Sequence, residues 1–93
     1  MKKFSAMPKI PRDISGRELS QILKKMGYEI TRQTGSHMRL TSTIKKQTHN
    51  ITIPDHDTIK IGTLNQILRD IAEHLQMEKQ SLITELFKDI NKK

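Results

Sequence analysis

The sequence predicts an α+β sandwich, ordered α-β-β-β-α with one additional C-terminal helix, and three observations of apolar spacing carry that prediction. Leu19, Ile22, Leu23 and Met26 recur at i, i+3, i+4 and i+7, the stripe of an amphipathic helix. From Tyr28 to Ile53 the period falls to two, which puts alternate side chains on opposite faces of a strand. Helical spacing returns at Leu64, Ile67, Leu68, Ile71 and Leu75, and again at Leu82, Ile83, Leu86, Phe87 and Ile90. Helices covering one face of a three-stranded antiparallel sheet enclose a single core.

Each element has its local cause. Residues 1–13, with Pro8 and Pro11, show little periodicity and read as a flexible arm before one domain over 14–93. Ser15 and Glu18 form the Ser-x-x-Glu pattern of a capping box, so the first helix begins there. Gly27 stops it at the C′ position, and Lys24 and Lys25 suit the negative end of the helix dipole. In YEITRQT, Tyr28 and Ile30 are expected inward, with Glu29, Thr31 and Gln33 outward. Gly35-Ser36 turns the chain, after which Met38 and Leu40 face in while His37, Arg39 and Thr41 face out. The polar run KKQT makes a second turn, and HNITIP returns with Ile51 and Ile53 inward. Short connections make a meander the simplest topology. Pro54 ends the third strand, DHDTIK is a loop, and Gly62 or Thr63 is the expected cap of the next helix.

The letters GSHM at residues 35–38 often mark a protease-cleavage scar from an expression vector. Here the alternation runs through them unbroken, with Met38 in phase with Leu40, so they belong to the fold.

The 93 residues include 17 Lys and Arg against 10 Asp and Glu, a net charge of +7, which attracts polyanions such as a nucleic-acid phosphate backbone. An anionic membrane or an acidic protein would suit the same charge. No apolar run approaches the ~20 residues of a membrane span, and MKKFSAMPKIPRDIS lacks the apolar centre of a secretory signal. Without cysteine there is no disulfide framework and no thiolate metal site, which fits a reducing cytoplasm.

His37 starts a strand beside a glycine turn, on the expected wet face, with Arg39 two residues on and Arg32 across the hairpin. An imidazole there suits acid–base chemistry, and guanidinium groups can hold a phosphodiester and stabilise charge developing on it. Because RNA carries its own 2′-hydroxyl nucleophile, such a set can cleave it without a metal or cofactor. Taken alone, the letters favour an ordinary surface histidine. His49 shares the parity of Ile51 and packs at the sheet margin; His56 sits in a loop that can fold over the hairpin; His74 is expected on the solvent face of the second helix. Asp55-His56-Asp57 is a poor zinc pattern, and no metal site is expected. Lys60, Gly62 and Thr63 mark a helix start, whose free N–H groups and dipole accept a phosphate; with Arg32, Arg39, Lys45 and Lys46 they would complete a basic surface. A helix cap beside an incidental lysine accounts for the same letters.

An ordered series of short motifs resembles one family. Ser15 to Leu19 reads S-G-R-E-L, Leu23 to Tyr28 L-K-K-M-G-Y, Arg32 to His37 R-Q-x-G-S-H, Ile51 to His56 I-T-I-P-x-H, and Lys60 to Leu68 K-x-G-T-L-x-x-I-L. From about Pro8 to Leu75 the chain resembles the HicA-type, or YcfA-like, toxins of bacterial toxin–antitoxin pairs. That resemblance implies a double-stranded-RNA-binding-domain-like fold and an mRNA interferase. It implies that the essential histidine is His37, with Gly35 and Ser36 shaping its turn; the residues themselves leave His56, water or a lysine for the second proton transfer. It also implies an antitoxin of the HicB type that occludes His37, with DNA engaged only through the complex. Many members read G-S-H-H, whereas here the second position is Met38. Two other functions fit the same fold: a non-catalytic RNA-binding module, and a protein-interaction domain whose basic face meets an acidic antitoxin.

Overall fold

A computed structural model describes residues 10–88; most of the expected N-terminal arm, together with Ile90 and the NKK tail, lies outside them. Helix α1 (Gly16–Ile22) passes into a tighter 3-10 turn over Leu23–Met26. Strands β1 (Tyr28–Thr34), β2 (His37–Ser42) and β3 (His49–Pro54) follow, then α2 (Ile61–Leu75) and α3 (Lys79–Phe87). The sheet is antiparallel with order β1-β2-β3, so the meander forms as expected and β2 is central.

The capping box at Ser15 forms in both directions, its hydroxyl accepting from the Glu18 N–H while Glu18 accepts from the Ser15 N–H. Gly27 closes the 3-10 turn with φ +83°, a left-handed conformation that favours glycine. Gly16 has a different purpose. A Cβ built there would lie 2.0 Å from the Pro54 carbonyl oxygen, so only glycine lets the start of α1 rest against the end of β3.

One face of the sheet carries the core. Met38, Leu40, Ile51 and Ile53 are buried against Leu19, Leu23, Leu64, Leu68 and Ile71 from the helices. Burying side chains of this kind contributes about 1.5–3 kcal/mol each before the entropy of ordering is counted. Helix α3 adds Leu82, Ile83, Leu86 and Phe87 to the same cluster, so the C-terminal extension completes the core.

Three expectations need correction. Ile30 pairs with Leu40 on the core face, yet it stays 39% exposed because β1 is an edge strand. Between Ile30 and Arg32 the register slips by one residue, a β-bulge at Thr31. Beyond the bulge the parity reverses, so Gln33 pairs with buried Met38 and lies on the helix side rather than outward. Finally, the N-cap of α2 is Lys60, with no side-chain hydrogen bond, and Gly62 and Thr63 fall inside the first turn.

Candidate active site on the open sheet face

The histidine turn is set by one dihedral. Thr34 pairs with His37, leaving Gly35-Ser36 as a two-residue hairpin loop, and Gly35 takes φ +57°. A positive φ at the first loop position alone is the type II′ pattern, whose twist matches the flanking strands. A Cβ on Gly35 would meet nothing within 4 Å, so the requirement is conformational rather than steric.

The bulge decides which cations join His37. By unbroken alternation Arg32 would share the face of Tyr28 and Ile30. The extra residue at Thr31 turns it to the open face, directly opposite Arg39. Arg32, Thr34, His37, Arg39 and Thr52 together line an open depression of about 310 Å³. Among the described residues neither arginine makes an ion pair. The depression therefore presents an exposed imidazole, two guanidinium groups and two hydroxyls, a set suited to a phosphodiester. A larger cavity of about 500 Å³ lies by Pro11, Ile14 and Ile22, but it contains neither a histidine nor a pair of cations.

A polar clamp on the opposite side fixes the turn. Arg17 Nε and Nη2 donate to Asp55 Oδ1 and Oδ2 at 3.3 and 3.1 Å, and Nη2 also donates to Gln33 Oε1 at 3.2 Å. Gln33 Nε2 donates to Asp55 Oδ2 at 3.0 Å, and the Asp55 N–H donates to the Ser36 carbonyl at 2.7 Å. The Arg17 hydrogen bond is the main cause holding the Asp55 carboxyl below its ordinary range, with smaller help from Gln33 and the charge of His56. None of these three was an expected site residue, and Asp55 was named only within the poor zinc pattern. The signal was present for two: Arg17 and Gln33 fall within the S-G-R-E-L and R-Q-x-G-S-H motifs.

Other expected site residues lie nearby or elsewhere. His56 is exposed in the loop after β3, its carbonyl accepting from the Gly16 N–H, and it is not among the residues lining the depression. Lys60, Gly62 and Thr63 are exposed at the start of α2, where first-turn N–H groups lack intrahelical acceptors. Lys45 and Lys46 occupy the β2–β3 loop, at the end of β2 away from His37. Six strand residues separate the ends by about 20 Å, so these lysines do not join the depression. Met38 is fully buried between Gln33 and Ile53, as its parity predicts, so a side chain at that position does not share the face of His37.

His49 packs at the sheet margin as expected, with Nδ1 2.6 Å from the Tyr28 hydroxyl. His74 departs from expectation: its ring stacks on His49 at 4.3 Å, and its Nε2 is buried without a hydrogen-bond partner. Burial lowers the His49 pKa, the charge of His74 lowers it further, and Asp70 partly opposes both. The Tyr28 phenol is pushed up to about 12 by burial, so it remains protonated at neutral pH in its hydrogen bond with His49. Among the described residues no group of three or more His, Asp or Glu is placed to hold a metal ion.

The family described as "HicA toxin of bacterial toxin-antitoxin" matches residues 16–72, more than half of the chain. The chain belongs to the HicA toxin family. No curated protein and no solved structure matches it. The HicA match takes in α1, the whole sheet and α2 as far as Ala72, and so includes the clamp and every residue of the depression. Membership places this HicA chain in a toxin–antitoxin system with a partner antitoxin. Its α1-β1-β2-β3-α2 order is consistent with the double-stranded-RNA-binding-domain-like fold, and α3 is an addition beyond the matched segment. Among the described residues no helix is long and apolar enough to cross a membrane.

Proposed function

We propose that this HicA-family chain is an mRNA interferase, an endoribonuclease that inhibits translation by cutting messages. The observation that carries the proposal is the exposed His37 imidazole in one depression with Arg32 and Arg39. An imidazole nitrogen can accept a proton or donate one, so His37 can remove the proton from a ribose 2′-hydroxyl or deliver one to the departing 5′-oxygen. Attack by that 2′-oxygen forms a bond to phosphorus as the bond to the 5′-oxygen breaks. The products are a 2′,3′-cyclic phosphate and a 5′-hydroxyl. Arg32 and Arg39 bind the phosphate and stabilise the charge gathering on its free oxygens. Lys60 and the Gly62–Thr63 helix start hold a neighbouring phosphate. This chemistry needs no metal; His56, water or a lysine supplies the second proton transfer.

An antitoxin of the HicB type, in this reading, covers the depression and occludes His37, and DNA is reached only through that complex in the cytoplasm. Purified protein incubated with a transcript should give fragments with cyclic phosphate ends, both with and without EDTA. Intact RNA retained by the protein would instead favour a non-catalytic RNA-binding module on the same surface. Abolition by EDTA would remove the metal-free chemistry.

A further inference from the structure

We propose that the open sheet face contains a nucleoside subsite formed by Thr31, Thr41 and Asn50, which holds the nucleotide next to the scissile phosphate of single-stranded RNA. The proposal rests on the RNA-cleaving reading of His37 and extends it along the strand.

Below the His37 row and the Arg32–Arg39–Thr52 row, the next row crosses all three strands as one hydrogen-bonded ladder. Thr31 Oγ1 is 2.8 Å from Thr41 Oγ1, and Thr41 Oγ1 donates to Asn50 Oδ1 at 2.7 Å. Because Thr41 gives its hydrogen to Asn50, it accepts from Thr31, whose hydroxyl also lies 3.4 Å from the Arg39 carbonyl oxygen. The exposed Asn50 therefore keeps both amide hydrogens outside the ladder, and Thr31 keeps oxygen lone pairs. These are a donor pair and an acceptor fixed in place by the sheet.

Charge assigns the rows. The arginine row suits a phosphate, whereas the ladder is neutral, and Glu29, paired with Thr41 at its margin, is anionic. A phosphate is repelled from that third row, but a base offers carbonyl oxygens to Asn50 and amino hydrogens to Glu29 or Thr31. Successive rows on one face lie about 7 Å apart, close to one nucleotide step of an extended strand. Single strands fit because their base edges are free to reach a flat face, while a duplex buries them. The bulge serves both rows, turning Arg32 to this face while placing the Thr31 hydroxyl beside Thr41.

The test uses the full chain and a short mixed-sequence single-stranded RNA with 2′-fluoro riboses, which lacks the attacking hydroxyl. Amide NMR signals of Thr31, Thr41 and Asn50 should shift on titration, and Asn50→Ala and Thr41→Val should each weaken binding roughly 5- to 10-fold. Thermal melting of both variants accompanies the titration. Ladder signals that stay put while RNA binds elsewhere, or variants that melt earlier but bind normally, would overturn the subsite and leave the ladder a sheet fastener. Cleavage of unmodified RNA by wild type and His37→Ala is read separately. A failed His37 assignment is thereby distinguished from a failed subsite.

Discussion

Arg32 and Arg39 stand directly opposite one another on adjacent antiparallel strands, on the open face, and neither makes an ion pair among the described residues. Like charges so placed cost stability, by up to about 1 kcal/mol for a cross-strand pair. An anion between them removes the cost. Arg39→Gln is therefore expected to raise the melting temperature of the free protein slightly while reducing RNA cleavage at least 10-fold. A variant that melts lower than wild type, or cuts as well, contradicts this assignment of the pair.

The clamp behind the turn makes a second prediction. Asp55→Asn weakens the charged contact with Arg17 and should slow cleavage while the protein stays folded. Because the Asp55 pKa is depressed in the folded state, its contribution to stability is present above the ordinary Asp value. It is lost as pH falls through the lower, folded one. Acid titration monitored by circular dichroism should show this loss in wild type and not in Asp55→Asn.

Gly16→Ala should destabilise the protein by about 1–3 kcal/mol, since its methyl group would collide with the Pro54 carbonyl backbone. Urea denaturation measures this directly. Gly62 offers the contrast: an added Cβ there meets nothing within 4 Å, at an exposed position in the first turn of α2. Gly62→Ala is expected to stabilise by up to about 1 kcal/mol. A larger side chain such as Gly62→Leu should keep the fold and hinder a phosphate at that helix start.

The stacked His49–His74 pair predicts a second acid sensitivity. His49 has a lowered folded pKa, mainly from burial and then from His74, so the unfolded chain binds its proton more readily. Stability should begin to fall as pH drops below about 6.5. His49→Gln should flatten the melting temperature across that range; an unchanged slope would mean that the pair does not govern it.

The periodicity made the element order legible, because burial on one face leaves a repeat of two or of about 3.6 in the letters. The capping box at Ser15 and the stop at Gly27 were readable for the same reason, being local chemistry. The bulge at Thr31 was not. It leaves no distinctive residue, yet it turns Arg32 outward and Gln33 inward, so the guanidinium pair and half of the clamp depend on it. His74 was misplaced because its partner, His49, is 25 residues away in sequence and meets it only through the packing of α2 on β3. Lys60 caps α2 without a side-chain bond, which no N-cap pattern signals. His37 as a possible catalyst was visible from its turn; its company was set by tertiary geometry.

Proton transfer by His37 in RNA cleavage is the proposal on which the others depend. The most direct measurement compares purified wild type and His37→Ala on one transcript, scoring fragment yield and end chemistry, with circular dichroism to confirm that both fold. Wild type is expected to give 2′,3′-cyclic phosphate fragments, and the alanine variant to lose at least about 100-fold in rate. Equal cutting by the folded His37→Ala protein would contradict it.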